Sequence, residues 1–188
     1  MKTGNETREH FFKLTNRFDG LKLFLCYKGV ESNMIGIGDK VPDLQLRTDE
    51  GTPLSLQDLK GRGFAVFLLG ATFTPTVERL FEVMTRNVGR FLALDISPVA
   101  VLGESVDNLA NYRNRNDVPF LLLSDDKLQL HILLGNEKEN APMVWLADKD
   151  AQILDMLPML PPSELVSVTV DRAARLTRKN DADDSDEA

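Results

Sequence analysis

The chain has 188 residues, a formal net charge of −7 and a pI of about 4.9, and 43% of its residues are hydrophobic. This length and composition suit one globular domain with a sizeable core. The acidic balance argues against a binder of nucleic acid or of anionic membranes, since both need a basic face. No apolar run approaches the length of a membrane span, and no secretory signal is recognised. With a single cysteine, Cys26, no internal disulfide can form, and we expect a cytoplasmic protein.

Residues 1–33 are interpreted as an N-terminal extension. Apolar positions within Glu6–Phe18 suit an amphipathic helix that would end at Asp19-Gly20. Leu21–Tyr27 suits a short strand or a packed arm. Such an appendage would cover part of the domain or of a partner subunit. An upstream start codon with little structural meaning is the alternative.

The stretch with the clearest pattern is Gly63–Leu92, which follows two short strands joined by a predicted turn at Asp49–Gly51. Its apolar run Phe64–Leu69, flanked by glycines, is typical of a buried strand in a parallel sheet. Beyond the loop, apolar residues recur at helical spacing, with Thr74 as the predicted N-cap and Pro75 as the first helical residue. A helix that begins just after a strand is a common site of chemistry, because its free N–H groups stabilise an anion.

Further elements follow in regular order. Pro98–Leu102 predicts a second buried strand, Lys127–Leu134 a short helix, and Met143–Leu154 a hairpin with a Lys149-Asp150 turn. A last helix begins near Pro161. Residues 179–188 hold an acidic cluster without large apolar side chains, which predicts a disordered tail.

Three segments carry a resemblance to a known family. ATFTPTV (71–77) resembles the active-site loop of thioredoxin-fold proteins, A-T-W-C-P-x-C, and the P-x-x-x-T-x-x-C loop of the peroxiredoxins, the alkyl hydroperoxide reductase/thiol-specific antioxidant family. GIGDKVPDLQL (36–46) is similar to the peroxiredoxin opening G-x-x-A-P-D-F-x-L. VPFLLLSD (118–125) is similar to L-P-F-P-L-L-S-D. The resemblance implies a thioredoxin-like α/β fold over residues 34–178, with a central mixed β-sheet flanked by helices.

The same resemblance shows what the loop lacks. The two thioredoxin cysteines fall on Thr74 and Val77, and the peroxidatic cysteine of peroxiredoxins falls on Val77. Pro142 matches the cis-proline of thioredoxins. Many peroxiredoxins have an active-site arginine at or beside this position, and this chain has none there. The family activity is thiol-dependent peroxide reduction, and this loop has no thiol for it. A threonine hydroxyl without an adjacent base is no substitute, because its proton is held too tightly.

We therefore expect a redoxin-family protein that is a binding or regulatory module and, like many relatives, a homodimer. Its pocket would hold a small polar ligand or a protein partner at the groove of loop 70–77. The pocket residues would be Thr72, Phe73, Thr74, Pro75, Thr76 and Pro142. A purely structural role for the threonines, as caps of the turn, is the other interpretation. We predict no cofactor and no metal, since His10 and His131 show no metal-ligand spacing. The rival hypothesis is an active thiol peroxidase that uses Cys26. The other interpretation of this residue is a small, buried cysteine without redox activity.

Overall fold

A computed structural model of the protein describes residues 35–70, 73–133, 143–157 and 160–186, with side chains up to residue 177. Seven strands and four helices lie in these ranges. The strands are β1 (Gln45–Thr48), β2 (Pro53–Ser55), β3 (Gly63–Leu68), β4 (Ile96–Leu102), β5 (Leu121–Ser124), β6 (Met143–Ala147) and β7 (Ile153–Leu157). The helices are α1 (Pro75–Leu92), α2 (Val106–Arg115), α3 (Gln129–Leu133) and α4 (Pro162–Asp186), and a short 3₁₀ turn covers Leu56–Leu59.

The described strands form one mixed sheet in the order β2-β1-β5-β4-β3-β6-β7. The three central strands are parallel to one another, and every other pairing is antiparallel. Helices cover the parallel centre, which explains why β3 and residues 98–102 of β4 are continuous apolar runs and not alternating patterns. The predicted mixed sheet flanked by helices is confirmed.

Alternate residues of β3 enter two separate cores, as the two-residue period of a strand requires. Ala65 and Phe67 face the core that is completed by α1, α2 and α4. Phe64 and Val66 face the second core, on the side that carries α3 and the 3₁₀ turn. The central strand is therefore buried on both faces, and the residues that follow it start from a rigid position.

The local predictions agree closely with the observed elements. The turn at Asp49–Gly51 joins β1 to β2, with Gly51 at φ +82°, a backbone conformation that favours glycine. β6 and β7 form the expected antiparallel hairpin around Lys149-Asp150. No helix in the described ranges is long and apolar enough to cross a membrane.

The C-terminal boundary differs from the expectation. We predicted a disordered acidic tail from residue 179, whereas α4 continues to Asp186. A helix that is already nucleated can extend at little further cost through residues that would not begin one, and composition alone does not register this. The end of α4 therefore does not coincide with the predicted boundary. The division into an extension, a domain and a tail remains a prediction, and residues 1–33 lie outside the described ranges.

Candidate functional site

The loop between β3 and α1 lies at the edge of the sheet where the parallel strands β3, β4 and β5 all end. In open α/β sheets, ligands bind in the crevice outside these carboxyl ends. Glu104 follows β4 and Asp125 follows β5, so both carboxylates stand at the same edge as the loop. At this edge the loop predicted from the sequence meets Glu104 and Asp125, two carboxylates that the local sequence pattern does not indicate as part of a site.

Thr74 is the N-cap of α1, as predicted. Its backbone is extended, with φ −117° and ψ 162°, and its Oγ accepts a hydrogen bond from the Val77 N–H at 3.3 Å. Its carbonyl accepts from the Glu78 N–H at 2.9 Å, and Pro75 occupies the first helical position. The hydroxyl oxygen is thus engaged in closing the first turn, as a cap requires. This geometry supports the capping interpretation of this threonine.

Val77, onto which the resemblance places the family's reactive cysteine, belongs to the core. Its side chain is 3% exposed and packs in the same cluster as Leu80 and Phe81 of α1. An isopropyl group offers neither a nucleophilic atom nor a hydrogen-bonding group. The position is therefore filled with apolar side chain, whereas its neighbours Pro75 and Thr76 are exposed.

Phe73 is held against α2 by both its ring and its backbone. The ring stacks on Tyr112 with centroids 4.2 Å apart and an interplanar angle of 9°, and it meets Phe81 edge-on. Its N–H donates to Glu104 Oε1 at 3.1 Å, and Glu104 Oε2 accepts from Asn108 Nδ2 at 2.7 Å. The Glu104 carboxylate thus engages a loop amide that could otherwise bind an external anion.

The Tyr112 phenol at this contact has a pKa raised above its ordinary value of 10.0. Burial is the main cause, and the nearby carboxylates of Glu78 and Glu82 add to it. The phenol is therefore neutral at physiological pH. It acts here as an aromatic surface for Phe73, not as a nucleophile or a base.

Asp125 and His131 form a buried pair behind the loop. Asp125 accepts hydrogen bonds from the backbone N–H groups of Gln129, Leu130 and His131, at 2.7, 3.0 and 3.1 Å. Its Oδ2 lies 2.6 Å from His131 Nδ1, and His131 Nε2 contacts the carbonyl oxygen of Leu69. His131 lies on α3, and Asp125 directly follows β5. Their pairing was missed, because nothing in the local pattern indicates it.

Part of the predicted pocket lies outside the described ranges. Thr72, Pro142 and Cys26 belong to that part, so the structure places only residues 73–76 of the predicted pocket. Within the described ranges, no three His, Cys, Asp or Glu side chains converge as metal ligands would. A cavity of about 230 Å³ lies between the middle of α1 and the end of α2, lined by residues that include Phe81, Arg86 and Tyr112.

The sheet order and the strand–loop–helix arrangement define a thioredoxin-like fold of the type found in peroxiredoxins. Solved structures show the same fold. Peroxidoxin BcpB from Mycobacterium tuberculosis superposes with a TM-score of 0.67 and 20% identity, over 74% of this chain and 96% of that one. A thiol peroxidase from Chromobacterium violaceum gives a TM-score of 0.62 and 18% identity, over 80% of this chain and 90% of that one.

Residues 37–157 match the AhpC/TSA family, and the protein belongs to it. Peroxiredoxin Bcp of Bacillus subtilis is 30% identical over 96 residues, which are 51% of this chain and 61% of the relative. A peroxiredoxin of Nanoarchaeum equitans is 25% identical over an alignment of 138 residues, which covers 66% of this chain and 61% of the relative. The chain thus spans about 61% of the length of these relatives. The predicted family and fold are confirmed.

Proposed function

We propose that this protein is a peroxiredoxin-family binding or regulatory module that does not reduce peroxide through the loop before α1. The observation that carries the proposal is Val77. The family places its peroxide-attacking thiol here, and this chain places a buried isopropyl group here.

Among the residues that the structure describes, the side chains around the loop do not supply another nucleophile. Thiol-dependent peroxide reduction needs a thiolate, which a helix N-terminus stabilises. Thr74 Oγ accepts a hydrogen bond from the Val77 N–H, and no base adjoins it among its hydrogen-bond partners in the described residues. The ring nitrogens of His131 face Asp125 and the Leu69 carbonyl, so neither is directed at the hydroxyl.

The loop is nevertheless well suited to recognition. Thr74 closes the helix start, Glu104 holds the Phe73 amide, and Pro75 and Thr76 present an exposed face. A rigid surface loses little conformational entropy when a partner binds. We propose that a small polar ligand or a protein partner contacts this face, and that the protein is a homodimer. Sedimentation equilibrium of the full chain tests the dimer.

The second candidate is a thiol peroxidase that uses Cys26. Family membership and the presence of one thiol favour it. In that case Cys26 would pass through a sulfenic acid that a second thiol reduces. The two candidates differ in one measurable property, the reactivity of Cys26 with peroxide.

The test treats the purified full chain with stoichiometric hydrogen peroxide and dimedone and then weighs the intact protein. We expect no rapid adduct and no peroxide consumption above the buffer rate with a thiol donor present. Cys26→Ser is the matched control. Val77→Cys reports whether the reagents reach a thiol at the helix start. A fast adduct on Cys26 with catalytic peroxide turnover would overturn the proposal and favour the peroxidase.

A further inference from the structure

Asp125 and His131 are enclosed by the protein, yet the proposed function makes no use of them. The side chain of His131 is 2% exposed and that of Asp125 is 1% exposed. Buried ionisable groups persist in proteins only when their partners compensate for lost hydration. The partners of this pair therefore indicate what the pair does.

The hydrogen-bond partners determine where the ring protons of His131 lie. Asp125 Oδ2, the oxygen that faces His131 Nδ1, already accepts from the backbone N–H groups of Leu130 and His131, so a proton on this oxygen would compete with them and it acts as an acceptor toward Nδ1. Nδ1 must then carry a proton. Nε2 faces the Leu69 carbonyl, which can only accept, so Nε2 must carry a proton as well. The ring is a cation that donates in two directions.

Leu69 needs this donor because the sheet ends beside it. Its N–H donates to the Val101 carbonyl of β4 at 2.9 Å. In an extended strand the N–H and C=O of one residue point to the same side, so the Leu69 carbonyl also points toward β4. β4 ends at Leu102, one residue further on, and provides no strand partner for this carbonyl. His131 Nε2 supplies the missing donor, as a buried backbone carbonyl requires.

We propose that doubly protonated His131 is a positioning residue that fixes the start of the loop, Leu69, to α3. A general-base role does not fit, because Nε2 is buried and engaged with a backbone carbonyl. The far end of the loop is held separately, by the bond from the Phe73 N–H to Glu104. Charged side chains on α3 and after β4 thus hold the loop at both ends. The inference is independent of the proposed function, since it holds whether Cys26 reacts with peroxide or not.

The first test is a ¹H–¹⁵N spectrum of the histidine rings in the full chain at neutral pH. The chain has two histidines, so His131→Gln assigns the signals and His10→Gln is the matched control. We expect two ring N–H correlations for His131, absent from His131→Gln and retained in His10→Gln. A single ring N–H on His131 would overturn the proposal, even if the His131→Gln variant does not fold.

The second test separates positioning from general stability. Amide hydrogen exchange is measured at Phe73 in the loop and at Met84 in the middle of α1. Loss of a hydrogen bond to a charged group predicts roughly tenfold or faster exchange at Phe73 in His131→Gln. Exchange at Met84 should accelerate only by the factor that the variant's loss of global unfolding free energy in urea predicts. Exchange at Phe73 should not follow that factor, and His10→Gln should change neither amide. Equal acceleration at both amides would mean that His131 merely stabilises the whole domain, which contradicts the proposal.

Discussion

Asp125→Asn is the substitution that best tests the buried Asp125–His131 pair. The side chain is 1% exposed and receives three backbone N–H groups and the His131 ring. Asparagine has nearly the same shape, but its NH₂ group can only donate, and the amide cannot neutralise a buried imidazolium. The variant therefore leaves a buried charge without its partner.

Breaking a buried ion pair by removing one partner costs about 3–5 kcal/mol. Domains of this kind have about 5–15 kcal/mol of total stability, so the loss is a large share of it. For 150–250 residues, each kcal/mol lowers the melting temperature by roughly 2–4 °C. We therefore expect Asp125→Asn to melt roughly 6–20 °C below the unaltered protein.

The assay is urea unfolding followed by tryptophan fluorescence, with thermal melting as the second measurement. Asp126→Asn is a matched control, because Asp126 is exposed and one residue away. That control should lie within about 0.5 kcal/mol of the unaltered protein. If the two variants unfold at the same urea concentration with the same slope, the buried ion pair does not carry the stability assigned to it.

Three further predictions follow from described contacts. Thr74→Ala should lose about 1 kcal/mol of unfolding free energy in urea while Thr74→Ser retains most of it, because only the hydroxyl cap differs; equal losses would contradict the cap. Trp145→Phe should lose less than the about 3–5 kcal/mol typical of removing a large aromatic side chain, since the buried Trp145 Nε1 has no hydrogen-bond partner in the described residues. The pKa of Tyr112 in the folded protein is raised above the ordinary value of 10.0. The stability that the neutral phenol contributes is therefore fully present below the unfolded-state pKa and is lost as the pH rises through the folded-state pKa. Urea midpoints from pH 8 to 11.5, roughly, should therefore fall less steeply for Tyr112→Phe, and identical slopes would contradict this.

The buried strand, the N-cap and the helix of residues 63–92 were predictable because their signals are local. An apolar run between glycines, Thr74 followed by Pro75, and helical spacing all act over a few residues. The absence of a thiol at positions 74 and 77 is equally a property of the sequence. Together with the resemblance, these features indicated the fold.

The contacts that complete the site were not predictable in this way, because their partners are far apart in the chain. Phe73 and Glu104 are separated by 31 positions, and Leu69 and His131 by 62. Strand order brings them together: β4 lies beside β3 and β5 lies beside β4, so the residues after each of these strands meet at one edge. Glu104, Asp125 and His131 look like ordinary polar residues until that edge exists.

The sequence alone determines that residue 77 is a valine and carries no sulfur, because a side chain's chemistry does not depend on the fold. Only the tertiary structure decides that this valine is buried and that His131 donates a hydrogen bond to the Leu69 carbonyl at the end of β3. Burial and hydrogen-bond satisfaction depend on which distant residues exclude water from a site, and neighbours in sequence do not define that.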